Sequence, residues 1–225
     1  MCFFQSILPY VEQSTMYNQV NFGATSWSNM TTLGTTYAAT NTLIMTQVPV
    51  FMCPTDPSAG KRQVSTAVRG FYSNYLPVHG SGAMGPVSTA QNGMFYIISS
   101  TRMRDVTDGT SNTAMMAEIL LTPESVYDGR GRVWESYDGN TLVSTLNTPN
   151  TTIADRIGQA CGDSVNPRVP CAATGSLQMA SRSLHTGGVH MILADGAVRF
   201  VSDNINTATW QNPGARNDGV VLGDF

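Results

Sequence analysis

Apolar residues recur at Phe4, Ile7, Leu8, Val11 and Tyr17 with helical spacing, and the pattern predicts one amphipathic helix over Phe3–Val20. Pro9 falls inside it; without an amide hydrogen it is tolerated only near the helix start or as a kink. A Ser/Thr/Asn-rich loop, Gly23–Thr36, leads to a second helix expected over Tyr37–Gln47. That helix must stop before Pro49, because "VFMCPTDPSAG", with Pro54 and Pro57, reads as a rigid, turn-rich passage.

From Gly70 onward the period changes. "GFYSNYLPV", "GMFYIIS", "NTAMMAEILL", "RVWESY", "GVHMILA" and "AVRFVS" are short, β-branched or aromatic runs bounded by Gly, Asp or Pro, the pattern of strands. Helices first and antiparallel strands afterwards give an α+β class, with the N-terminal amphipathic helix packed on one face of an antiparallel sheet. No internal repeat or low-complexity linker interrupts the pattern, so residues 1–225 are expected to form one domain. The polar stretch Asp138–Gly175 is expected to be a loop insertion.

The last two runs flank Asp195-Gly196, the strongest short-range hairpin signal, because a type I′ turn needs positive φ at both central residues. A two-residue loop sets Leu193 opposite Val198 and Met191 opposite Phe200. Val189, Met191, Leu193, Val198 and Phe200 then share an apolar face, and His190, Ile192, Arg199 and Val201 share the other. Asp195 sits at the tip and His185 beyond the far end of the strand, roughly 15–20 Å away at the usual rise per residue. The two can meet only if Gly187-Gly188 folds the chain sharply back. Asp195 is therefore a turn residue, and His190 a packed or half-exposed one.

Charge narrows the partners. Charged residues make up 12% of the chain, the net charge is −3, and the one lysine and eleven arginines do not cluster. A weakly acidic chain without a basic stripe excludes nucleic acid. No apolar run is long enough to cross a bilayer, and no signal peptide is visible. Among the four cysteines, no pair has metal-finger spacing. Cys161 and Cys171 close the short loop "CGDSVNPRVPC", where an exported protein would carry a disulfide.

Five stretches in order carry a resemblance. "HTGGVHMILADGAVRF", a histidine, nine residues and Asp-Gly, resembles the C-terminal signature of the bacterial prepilin-type proteins named for that spacing. "ILPYVEQSTMYNQVNF" is similar to the segment that follows the pilin helix, and "VFMCPTDPSA" to the family's Cys-Pro-Ser-Asp-Pro passage. "RDVTDGTSNTAMMAEIL" resembles its Asp-Gly-Thr-Ser-Asn-Thr block, and "NDGVVLGDF" its usual ending. The resemblance implies a pseudopilin-like head, akin to the major pseudopilin of type II secretion, in the periplasm or outside the cell. Other pseudopilin or secretion-system subunits would be its partners, and the full-length form would be anchored in the inner membrane by a hydrophobic helix. That helix is missing here, so insertion through it is not expected of this chain. His190 stands where the family usually has asparagine.

Three groups of residues could carry chemistry. Asp105, Asp108 and Asn112 lie in "RDVTDGTSNT", a density of oxygen ligands that suits Ca²⁺, and the resemblance also implies calcium in the β region. The competing reading is an Asx turn before the strand. Glu118 lies in the apolar run "AMMAEILL" and must reach solvent, pair with Arg102, Arg104 or Arg182, or stay protonated. A hydrolase is the alternative to a structural subunit. Glu118 and Asp108 (with Glu135 and Asp138 as further carboxylates) would then be the candidate acids for carbohydrate, with His185 beside them. Ser58 and Lys61 form an S-x-x-K, the start of a serine-esterase pattern, but Pro57 and Gly60 argue against the helix that chemistry needs.

Overall fold

The computed structural model describes residues 3–20, 22, 42–63, 70–84, 91–134, 139–158, 161–162 and 166–220. The Gly23–Thr36 loop, the first part of the expected second helix, Cys2, Glu135 and Asp138 lie outside the described residues.

The single N-terminal helix expected over Phe3–Val20 is three short helical pieces. α1 spans Phe3–Ile7, a 3₁₀ turn Leu8–Val11 takes Pro9 where its missing amide hydrogen costs nothing, and α2 spans Ser14–Tyr17. Glu12 ends the 3₁₀ turn at φ +60°, a left-handed conformation that no continuing helix accepts. The buried face survives these breaks: Phe4, Leu8 and Met16 all enter the core, and the Phe4 ring meets Phe51 at 5.1 Å. α3 spans Thr42–Met45 and buries Leu43 and Ile44 before the chain turns at Pro49.

The strands are β1 (Arg62–Gln63), β2 (Gly70–Phe71), β3 (Tyr75–Gly80), β4 (Ala114–Glu118), β5 (Val143–Ser144), β6 (Asp155–Arg156), β7 (Cys171–Ala172), β8 (Gly188–Leu193) and β9 (Val198–Ser202), followed by α4 (Thr207–Gln211). The main sheet has the order β5-β3-β4-β8-β9, antiparallel except where β5 runs parallel to β3. It is a mixed α+β architecture in which the helices are few and short. Two expected strands do not form among the described residues. Residues 93–99 form turns, with Ile98 exposed at φ +62°, Ser99 bonded back to Tyr96, and Arg216 stacked on the Tyr96 ring. In "RVWESY", residues 132–134 are described, and Arg132 pairs with Tyr72 in an isolated bridge.

The β8–β9 hairpin forms at Asp195-Gly196, with its register one residue from that expected. Leu193 pairs with Ala197 around a three-residue loop, and Gly196 at φ +88° closes a turn onto the Leu193 carbonyl. This is a turn with a left-handed glycine bulge rather than a two-residue loop. A one-residue slip exchanges the two faces of a strand. Val201 therefore joins Val189, Met191 and Leu193 in the core, while Val198 and Phe200 lie on the other face, 61% and 47% exposed. That other face carries His190 and Ile192.

A buried ion-pair network and a disulfide tie together the strands outside the main sheet. Arg130 bridges Asp128 (2.7 Å) and Asp155 (2.9 Å), and Arg182 grips the other oxygen of Asp155 at 3.1 Å, all four side chains being almost fully buried. The Arg130 guanidinium holds the Asp128 carboxyl below its usual range against the opposing effect of burial. Cys161 and Cys171 form a disulfide, and Cys171 begins β7, which pairs with β6 at Asp155.

Candidate functional site

Glu118 is the last residue of β4, on the strand face it shares with Met116, and its side chain is 3% exposed. Its main-chain carbonyl is fixed by the Arg182 amide (2.9 Å) and the Ser181 hydroxyl (2.8 Å). The β4–β8 register pairs Ala117 with Met191, which sets His190 across from Glu118. The carboxylate responds: Oε2 accepts the His190 main-chain N–H at 2.7 Å and lies 3.4 Å from its Nδ1.

His185 arrives by a tight turn. Ser183 Oγ donates to the Gly188 carbonyl (2.7 Å) and accepts the His185 amide (3.1 Å), and Gly187 adopts φ +84°. Gly188 has no alternative, because a Cβ there would collide with the Val201 carbonyl. The chain thus folds back at Gly187-Gly188, which brings His185 to Glu118 and not to Asp195. His185 Nε2 stands 3.2 Å from Glu118 Oε1, and the His185 and His190 rings meet edge to face at 4.7 Å.

The third member comes from the proline-rich passage. The Cys53 amide donates to Asn74 Oδ1 (3.0 Å), and Asn74 Nδ2 donates to Asp56 Oδ2 (2.6 Å) and to the Ile119 carbonyl (3.1 Å). Asp56 also accepts the amides of Ser58 and Leu121. A buried Asp–Asn pair therefore ties the Cys-Pro-Thr-Asp-Pro turn to the chain leaving β4. It leaves Cys53 buried, with Sγ 3.9 Å from His185 Nε2 and 3.1 Å from Thr55 Oγ1. Tyr75 completes the surround; burial first, then the nearby Cys53 and Glu118, push its phenol above the usual range.

These groups border a cavity of about 550 Å³ whose remaining walls are apolar: Ile7 and Val11 from the N-terminal turns, Phe51, Met116, Ile192 and Val198. The size falls within the range of small-ligand pockets. One ring nitrogen of His185 faces both the thiol and the carboxylate. A Cys-His-acid relay needs the two ring nitrogens on opposite duties, one toward the nucleophile and one toward the acid. The donor atoms of Cys53, Glu118 and His185 instead converge, all within 4.8 Å of one another.

Of the residues expected to carry chemistry, Glu118 and His185 meet here. Glu118's partners are the two histidines, which corrects the expectation of an arginine. Arg182 is spent on Asp155, and Arg102 and Arg104 are exposed. Asp108 lies beyond the other end of β4, where its carboxylate accepts the amides of Asp218 (2.7 Å) and Gly219 (2.8 Å). Asn112 donates its amide to the Asp108 carbonyl, and Asp105 caps the Arg102 amide at 2.8 Å. Asp195 accepts the Ala197 amide within the hairpin turn. Lys61 donates to Thr122 (2.7 Å) and the Val126 carbonyl (2.9 Å), and burial lowers it to about 8. Cys53 was missed as a site residue. Its Cys-Pro-Thr-Asp-Pro passage marks a turn, and nothing in that passage names what the thiol faces.

A family model described as a protein of unknown function (DUF1559) matches residues 2–208. No curated protein and no solved structure matches the chain.

Proposed function

The chain belongs to the DUF1559 family, a family of bacterial surface or pseudopilin-like proteins, and from that premise we propose that it is a pseudopilin-like head with a structural or interaction role in a secretion pseudopilus or surface filament. The observation that supports this reading is that Ile7 and Val11, in the N-terminal helical turns, line one cavity with Met116 and Ile192 of the main sheet. A pilin-type head is built in that order, helix first and sheet beneath. The Cys161–Cys171 disulfide fits a periplasmic or extracellular site, since such bonds persist outside the reducing cytosol. No described helix is long and apolar enough to cross a membrane, so inner-membrane anchoring rests on the resemblance alone.

The hydrolase reading draws on one observation, a buried Glu118 beside His185 at the edge of a cavity. It ranks second because Glu118 is the single carboxylate among the described residues that line it, whereas glycoside hydrolysis ordinarily uses two. The deciding experiment follows the tagged native gene product in its own bacterium by envelope fractionation, in-cell cross-linking and mass spectrometry of the mature N-terminus. A processed N-terminus and cross-links to itself or to secretion subunits are expected. An unprocessed, uncross-linked monomer that turns over glycosides or esters would overturn the reading.

A further inference from the structure

We infer that Cys53 Sγ, Glu118 Oε1 and His185 Nε2 form a binding site for a divalent ion of the zinc class, with a fourth coordination position open to the apolar cavity. The distances fit first. At zinc's ordinary bond lengths, tetrahedral nitrogen and oxygen ligands stand roughly 3.4 Å apart, and nitrogen and sulfur ligands roughly 3.6 Å apart. The corresponding edges here are 3.2 Å and 3.9 Å. The third edge, from the Cys53 sulfur to the Glu118 carboxylate, is no more than 4.8 Å, so the thiol has to move inward to close the set around an ion.

Ligand type then selects the ion. A thiolate, an imidazole and one carboxylate match zinc and its neighbours, whereas calcium needs six to eight oxygens and magnesium an oxygen octahedron. Charge agrees. A thiolate and a carboxylate together carry two negative charges, which one divalent cation neutralises beside two side chains that are themselves buried. Without such an ion, a carboxylate that is 3% exposed relies on two imidazoles and one amide. His185 Nε2 also faces both the thiol and the carboxylate, which a single N–H cannot serve equally, while a cation between the three serves them all.

The surroundings hold the ligands as metal sites do. The Cys53 amide is pinned by Asn74, the His185 amide by Ser183, and the second oxygen of Glu118 by His190. Partners of this kind orient ligands and tune their basicity. His190 is engaged on Glu118 Oε2, so three protein ligands remain, the pattern of zinc sites that keep an exchangeable position. The apolar walls make the natural occupant of that position a water or the polar head of a largely apolar small molecule.

The test uses the full chain, tag-free and stripped with chelator, titrated with Co²⁺ and Zn²⁺ alone. One equivalent of Co²⁺ should bind, with a near-ultraviolet sulfur-to-cobalt band and tetrahedral visible bands, and Zn²⁺ should displace it. Cys53→Ser should abolish the sulfur band, and Glu118→Gln and His185→Asn should each weaken binding at least tenfold. Asp108→Asn should change neither. Because a core variant can misfold, wild-type protein provides a separate check: Zn²⁺ should raise its Tm and slow alkylation of Cys53. Sub-stoichiometric cobalt uptake without a sulfur band, or alkylation unaffected by Zn²⁺, overturns the site.

Discussion

Glu118 Oε1 lies 3.2 Å from His185 Nε2, joining positions 67 residues apart in the chain. Cys53 Sγ reaches the same nitrogen from 132 residues away. Each of the three comes from a different stretch that carries the family resemblance: the Cys-Pro-Thr-Asp-Pro turn, the block ending in "AMMAEIL", and the His-x9-Asp-Gly segment. Stretches far apart in sequence thus meet at one place in the fold.

The two glycines of the His-x9-Asp-Gly segment should respond differently to the same change. Gly196 has positive φ and open space where a Cβ would go, so Gly196→Ala meets backbone strain alone, roughly 1–2 kcal/mol. Gly188→Ala drives a methyl into the Val201 carbonyl, and must open the first β8–β9 pair and move His185. Urea unfolding of both variants should show the larger loss at Gly188. Equal losses would mean that the turn at Gly187-Gly188 is not as tight as described.

The hairpin also shows what the sequence makes legible. Asp-Gly between two alternating runs marked the turn and both strands, because turn chemistry and a period of two are local properties. The register was not local: a bulge at Gly196 decides whether Phe200 or Val201 enters the core. The slip reassigned Val198 and Phe200 to the face of His190, and so concealed the cavity. Glu118 stood out as a carboxylate in an apolar strand, yet its partners depend on the β4–β8 register and on a back-fold at two glycines. Cys53 carried no signal of its own, since a Cys-Pro turn announces geometry and leaves its neighbours unstated. Residues 93–99 look like a strand by composition, but Arg216 on Tyr96 and a left-handed Ile98 hold them as turns.

Asp155 neutralises two buried guanidiniums, Arg130 and Arg182. Asp155→Asn leaves them without their shared counter-charge and should cost about 3–5 kcal/mol, the ordinary penalty for breaking a buried ion pair. Denaturant unfolding measures this, and a loss under about 1 kcal/mol would show the network to be incidental.

His79 is 3% exposed, and neither ring nitrogen has a hydrogen-bond partner among the described residues. Burial lowers it to about 4 from an ordinary 6.5. Between those values the unfolded chain binds the extra proton, so stability is intact above pH 6.5 and is lost as pH falls toward 4. The loss should be about 3 kcal/mol by pH 4. Asp128, also held low, adds to acid sensitivity below the ordinary carboxylate range. Comparing wild type with His79→Leu across pH 7 to 4 isolates the histidine; parallel curves would contradict it.

Cys161 and Cys171 close a loop with a sequence separation of 10. Replacing both by serine should cost about 3 kcal/mol by chain entropy. Thermal unfolding with and without reductant gives the same comparison in the native chain, and an unchanged Tm on reduction would contradict it.

The most direct measurement of the shared site is a double-mutant cycle between Glu118 and His185, with Glu118→Gln, His185→Gln and the pair compared by denaturant unfolding in chelator. Residues in contact couple by roughly 0.5–3 kcal/mol, whereas distant ones add within about 0.5 kcal/mol. A coupling above about 1 kcal/mol is expected if the two side chains meet as described. Additive losses would contradict the meeting of the three stretches, and with it the site.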